Sequence, residues 1–240
     1  KLFNPFAGRP QGTVAPMNKI HVCCGGVYLQ GYVNIDKYPF EAGDDSRSGC
    51  VADVLADVFE LPYAKGTLSE IVLVHGMEHF TRYDGLRLLD KFAELLSPDG
   101  VLYLEMPSRN PVFFLTVVER LTALFAPRRA GNRFGRGPAS SMLWGNQWAG
   151  FDYETHRYLW SAAEIVRTCH ELGLTKHAVF RYPASHIPFR DMGVAVSRSG
   201  AALSYQPPSI RRRARRGVLG DVMGLGRGLA HVMASVFRAR

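Results

Sequence analysis

No run of about eighteen uninterrupted apolar residues occurs in the 240-residue chain, and its opening, Lys1-Leu-Phe-Asn-Pro-Phe6, has no apolar stretch of the secretion-signal kind. Neither a membrane span nor a secretory leader is expected. Cysteine is scarce: Cys23, Cys24, Cys50 and Cys169 form no C-x-x-C pair, which excludes a zinc ribbon and a disulfide scaffold and points to a reducing cytoplasm. No metal-ligand cluster of recognisable spacing stands out, so no metal is expected. One-signed charge is missing from most of the chain. The formal net charge is +8, but eight Arg and one Asp between Arg211 and Arg240 leave residues 1–210 at +1. A near-neutral body argues against a nucleic-acid surface. No low-complexity linker divides the chain, and one main domain follows.

What is present is an alternation of short apolar runs with helical patterns, the signature of a parallel sheet covered by helices. Strands are predicted at Lys19–Cys23, Tyr32–Ile35, Cys50–Leu55, Glu70–His75 and Gly100–Met106. Leu86, Leu89, Phe92, Ala93 and Leu96 recur at helical spacing before the turn Ser97-Pro98-Asp99-Gly100. A second helix should start at Ser161, with Glu164 at capping-box spacing and Gly173 closing it. Lys176–Tyr182 and Met192–Ser197 read as a final hairpin-like pair. Only about nine residues join the first two strands, so the first crossover helix must be very short or absent. Residues 107–150 read as an insertion, whose run Val112–Ala126 should form a helix over the sheet edge or, alternatively, a lid. The predicted organisation is an extension over 1–18, a domain over 19–200 and a tail over 201–240.

The run Lys19-Ile-His-Val-Cys-Cys-Gly-Gly-Val-Tyr-Leu-Gln-Gly-Tyr-Val-Asn-Ile-Asp36 resembles the opening of class I S-adenosylmethionine-dependent methyltransferases of the type 11 group. The resemblance continues through Ala56-Asp-Val-Phe-Glu-Leu-Pro-Tyr63, Glu70-Ile-Val-Leu-Val-His-Gly-Met-Glu-His79 and Leu96-Ser-Pro-Asp-Gly100. It implies a Rossmann-like, doubly wound α/β fold with a mostly parallel seven-stranded sheet, and S-adenosylmethionine as cofactor. A glycine turn after the first strand lets backbone N–H groups approach a ligand, and an acid ending the second strand can accept both ribose hydroxyls. Gly25 and Gly26 match the first role and Asp36 the second. By resemblance Asp57 and Val58 hold adenine, and His75 lies beside the cofactor. Cys23 stands where the first loop glycine is usual, a substitution that suits a loop with no positive φ at that position. A nicotinamide-binding domain fits less well, since G-x-G-x-x-G spacing is absent.

Methyl transfer to a hydroxyl requires positioning and a base. The candidate bases are His79, His156 and Glu105. His156 belongs to a segment that mixes Trp144, Trp148, Tyr153 and Tyr158 with Asn146, Gln147, Asp152, Glu154 and Arg157, a combination suited to sugar rings. The expected activity is O-methylation of a sugar in a glycan or lipid-linked saccharide, within polysaccharide biosynthesis. The alternatives are a methyltransferase-like scaffold that has lost activity, which Cys23 favours, and an RNA methyltransferase. Beyond Pro207-Pro208, the basic cluster Arg211–Arg216 precedes apolar residues at helical steps interrupted by five glycines. This tail is expected to be disordered in isolation and to dock on an anionic membrane surface or a partner enzyme, making the protein cytoplasmic and peripheral at the inner face of the cell membrane.

Overall fold

The computed structural model describes residues 18–38, 50–125, 143–145, 155–180 and 190–208. Strands β1 (Lys19–Val22), β2 (Val33–Asp36), β3 (Val54–Leu55), β4 (Leu68–Val74), β5 (Leu96–Pro107), β6 (Lys176–Phe180) and β7 (Asp191–Ser197) form one sheet in the order β3-β2-β1-β4-β5-β7-β6. Only β7 runs antiparallel to its neighbours. This is the mostly parallel sheet of the class I methyltransferase fold, and the last two strands pair as expected.

Alternation along the strands sends Ile20, Val22, Ile71, Leu73, Leu102 and Leu104 to one face, where they pack with α1 (Arg82–Leu95) and α3 (Ala162–Glu171). Helix α1 begins where the Thr81 hydroxyl accepts the Asp84 N–H, and it buries Leu88, Leu89 and Phe92, each contributing about 1.5–3 kcal/mol. Gly85 lets α1 press against Trp160: a Cβ there would lie 2.5 Å from the indole. Helix α3 has the predicted cap, with Ser161 Oγ accepting the Glu164 N–H, and Gly173 follows it at φ 82°.

The first crossover contains no helix. Residues 23–32 instead form a coil organised by the buried Asn34 side chain on β2. Its Oδ1 accepts the Leu29 N–H at 2.9 Å, and its Nδ2 donates to the carbonyls of Leu29 and Tyr32 and to Asp53 Oδ2. That pattern fixes Asn34 Oδ1 as an acceptor, so His21 Nδ1, 3.0 Å away, carries the proton. Leu29 and Tyr32 then cover the second face of the sheet with Val72, Val74 and Tyr103.

Three boundaries differ from expectation. Strand β3 shrinks to two residues: the Val51 N–H bonds the Gly25 carbonyl, and although the Asp53 N–H bonds the Asn34 carbonyl, the Asn34 N–H is taken by the Asp53 side chain instead of a backbone carbonyl. Strand β5 starts directly after α1, and the Ser97–Gly100 turn is a bulge between the Leu68–Leu96 and Glu70–Val101 pairs. The body also continues past residue 200. A 3-10 turn, Gly200–Ser204, buries Ala202, and Tyr205 donates to Glu70, which also receives Tyr32 and pairs with Lys19.

The predicted helical run in the insertion is α2 (Arg109–Phe125). Val112 is buried and Leu115 and Thr116 are half-buried, while Phe113, Phe114, Val117 and Leu121 are exposed on the other side of α2. Among the described residues no helix is long and apolar enough to cross a membrane. The basic tail from residue 209 onward and most of 126–154 lie outside the described residues.

Candidate active site

The carboxyl ends of the parallel strands gather the predicted cofactor residues, as open α/β sheets do. Gly25 takes φ 51° in the turn after β1, and its N–H donates to Asp36 Oδ2 at 2.8 Å. Asp36 Oδ1 accepts the Tyr38 N–H. Each Asp36 oxygen keeps a further lone-pair direction, so the carboxylate can accept ribose hydroxyls. Gly26 completes the turn. Asp57 precedes the 3-10 turn Val58–Glu60, caps it by accepting the Phe59 N–H, and pairs with Lys37 Nζ at 2.8 Å. The Lys37 ammonium and the Phe59 N–H hold Asp57 below the usual carboxylate range. Val58 is buried, forming an apolar wall beside that acid. An acceptor for an amino group, an apolar wall and a diol acceptor in this order fit an adenine nucleoside cofactor.

Cys23 takes the backbone conformation that a glycine at this position would favour. Its φ is 52°, so the loop does use the left-handed region there, at a cost of about 1–2 kcal/mol for a residue with a Cβ. Gly76 accommodates it, since a Cβ at Gly76 would stand 3.0 Å from the Cys23 Cβ. Burial pushes the Cys23 thiol up, so it stays protonated and inert.

His75, just past β4, also takes a positive φ, 53°. The turn directs its ring between two buried acids: Nδ1 lies 2.9 Å from Glu78 Oε1, and Nε2 lies 3.6 Å from Asp191 Oδ2. Asp191 is also gripped by Arg190 through two contacts of 2.9 Å. Burial disfavours charge on His75, but the Glu78 and Asp191 carboxylates outweigh it and raise the ring to about 9. Burial likewise works against ionised Glu78, yet His75, then His79 and His156, draw it down to about 2. The two carboxylates thus favour the protonated ring, which suits His75 to pairing with them rather than to taking a proton.

His79 and His156 come together, their rings 4.9 Å apart and edge to face. His79 sits on the 3-10 turn Met77–His79, and its Nδ1 bonds the Thr155 carbonyl at 3.2 Å, which leaves the lone pair on Nε2. His156 follows an isolated bridge between Gly145 and Thr155, and its N–H donates to the Trp144 carbonyl. The Arg157 N–H ties the segment to the Glu78 carbonyl at 2.8 Å. Trp144 itself is 56% exposed. Glu105 is not gathered with them in the described contacts. It points to the second sheet face and accepts the Tyr103 hydroxyl at 2.8 Å. Tyr158 is likewise engaged elsewhere, donating to Glu164, which also binds Arg82 and Arg109. Asn146, Gln147, Trp148, Asp152, Tyr153 and Glu154 lie outside the described residues. Sequence reasoning missed Glu78, Arg190 and Asp191. Glu78 stood inside the quoted His75–His79 segment, whereas Asp191 reaches the site only through the β5–β7 register, which pairs it with Pro107.

A profile of a methyltransferase domain family matches residues 27–179, from just past the glycine turn to β6. The curated proteins give no match. Among solved structures, a SAM-dependent methyltransferase of Thermotoga maritima is 12% identical with a TM-score of 0.46, covering 75% of this chain and 82% of its own. The magnesium protoporphyrin IX methyltransferase of Synechocystis with bound S-adenosylhomocysteine is 13% identical, TM-score 0.43, with 75% and 73% covered. A candidate O-methyltransferase of Nostoc punctiforme is 14% identical, TM-score 0.37; the match covers 59% of this chain and spans only 35% of that protein's length. With the family profile matching well over half of it and the sheet order of the class, this chain belongs to the methyltransferase domain family and is an S-adenosylmethionine-dependent class I methyltransferase.

Proposed function

We propose that the methyl acceptor is a sugar hydroxyl, in a glycan or lipid-linked saccharide. What supports this reading is the exposed Trp144, whose backbone carbonyl accepts the His156 N–H and ties it to the segment of the His79–His156 pair: an aromatic side chain suited to a sugar ring and nitrogen bases suited to its hydroxyl. The cofactor supplies an electrophilic methyl group on a sulfonium. Asp36, Asp57 and Val58 hold the nucleoside, and the Cys23–Gly26 turn sets its approach. His79 Nε2 takes the hydroxyl proton as the oxygen attacks, and the Glu78 carboxylate stabilises the imidazolium that forms. His75, 2.9 Å from Glu78, holds that carboxylate in place.

Titration calorimetry with S-adenosylmethionine and S-adenosylhomocysteine, followed by methyl transfer to a glycan panel, tests the reading. Wild type should bind both ligands, and Asp36→Ala should bind at least about tenfold more weakly while staying folded. Cofactor binding with transfer only to non-sugar acceptors would overturn the sugar assignment. One observation favours a second reading, a scaffold without activity: the positive φ at Cys23, which puts a side chain at a glycine position. Folded wild type that binds neither ligand would put that reading first. The membrane-surface role of the tail is part of the same proposal and rests on the Arg211–Arg216 cluster. Full-length protein should float with anionic liposomes and a chain ending at residue 208 should not.

A further inference from the structure

Glu78 is 1% exposed, and among the described residues neither of its oxygens receives a well-directed hydrogen bond. Among the described residues the close ion-pair contact it makes is with His75, against Oε1, and Oε2 has no hydrogen-bond partner there. A carboxylate buried without donors calls for a partner that satisfies its oxygens. Beside it stand His79 and His156, and one ligand atom from each of the three residues falls within 4.8 Å of the others. The hydrogen bond from His79 Nδ1 to the Thr155 carbonyl leaves the imidazole as metal-ligating histidines are found, one ring nitrogen donating to a fixed acceptor and the other carrying a lone pair.

We propose that Glu78, His79 and His156 bind a divalent transition-metal ion of the zinc and cobalt class. The ligand set is two imidazoles and a carboxylate, which suits zinc, cobalt or iron rather than magnesium or calcium, whose sites are built from oxygen. Three protein ligands leave a coordination position open, the arrangement of catalytic rather than structural sites. The backbone is organised to hold the set. Glu78 and His79 are adjacent on a tight 3-10 turn, and the Arg157 and Tyr158 N–H groups both converge on the Glu78 carbonyl, locking the His156 segment to that turn. Behind the ligands, Asp191 and Arg190 fix His75 against Glu78, the outer-shell support that such sites require.

Chain spacing alone carried no such signal, because His156 comes from a distant segment. The site rests on the same residues as the proposed function but does not depend on a sugar acceptor, and with an ion bound the His79 Nε2 lone pair is a ligand, so the ion takes over from His79 the activation of the acceptor oxygen. A bound ion would orient an acceptor oxygen at its open position and lower that oxygen's proton affinity.

Full-length protein, stripped of metal by chelator and returned to chelator-free buffer, is titrated with Co²⁺ while its visible absorption is read, with Zn²⁺ as competitor. One equivalent should bind with the ligand-field bands of a low-coordinate nitrogen and oxygen site, and Zn²⁺ should displace it. His79→Ala, His156→Ala and Glu78→Gln should each weaken Co²⁺ by at least about a hundredfold. Should Glu78→Gln fail to fold, the two partly exposed histidines carry the test. Folded wild type that takes up no stoichiometric Co²⁺, or uptake unchanged in the histidine variants, overturns the proposal. Calorimetry with S-adenosylhomocysteine on the same metal-free samples separates the two readings. Cofactor binding without metal uptake defeats the metal site alone, and metal uptake without cofactor binding defeats only the proposed function.

Discussion

The β1–β2 and β4–β5 crossovers solve the same connection problem in opposite ways. Between β4 and β5, helix α1 satisfies its backbone internally and is held by Leu88, Leu89 and Phe92 against the sheet. Between β1 and β2 there is no helix, and one amide side chain, Asn34, makes three hydrogen bonds to the ten-residue coil and a fourth to Asp53. The first solution is spread over many small contacts. The second concentrates order in one residue, at the loop that approaches the cofactor. Stability and cofactor binding should therefore respond to different mutations.

The largest expected effect on stability comes from the helical crossover. Phe92→Ala should cost about 3–5 kcal/mol in urea unfolding, while protein that remains folded binds S-adenosylhomocysteine with unchanged affinity. Asn34→Ala should cost less, about 1–3 kcal/mol, yet weaken the cofactor by more than about tenfold, because the loop loses its anchor. If Phe92→Ala weakened binding more than Asn34→Ala, the division of labour would collapse. His21 sharpens the comparison through pH. Burial lowers its pKa from 6.5, and its Nε2 has no partner among the described residues. The unfolded ring takes up a proton near 6.5 where the folded ring does not, so the neutral-ring contribution is complete above that pH and falls away as pH drops through it. Unfolding free energies measured between about pH 7.5 and about pH 5.5 should decline more steeply for wild type than for His21→Gln; equal slopes would show that the ring is not neutral-buried. The smallest effect belongs to Lys37→Ala, which removes a largely exposed ion pair to Asp57 and should change stability by no more than about 1 kcal/mol.

Much of this was legible in the sequence. Apolar runs place the strands because a sheet buried on both faces leaves few polar positions, and the absent first helix follows from chain length alone. Ser161, Glu164 and Gly173 announced α3 because capping chemistry is local. What stayed hidden depends on contacts distant in sequence. Asn34 reads as one more strand residue until the coil folds back onto it. Glu105 reads as a strand-end acid, but strand alternation turns it toward Tyr103 and away from the histidines. Whether Cys23 must take a positive φ could not be read from its type, because closing the turn decides it. Glu78 between Met77 and His79 gave no hint that the fold would strip its carboxylate of water.

The hydrogen bond from Gly25 to Asp36 makes loop order and cofactor affinity two readings of one equilibrium. The carboxylate that would accept the ribose is the one that keeps the glycine turn closed, so whatever disorders the turn lowers the fraction of molecules ready to bind, and the ligand in turn holds the turn shut. At a hundred times its dissociation constant, S-adenosylhomocysteine would add about 2.7 kcal/mol to the folded state. That reserve would be felt first in the segment from Cys23 to Asp36, and amide hydrogen exchange there would slow on binding before α1 registered the ligand at all.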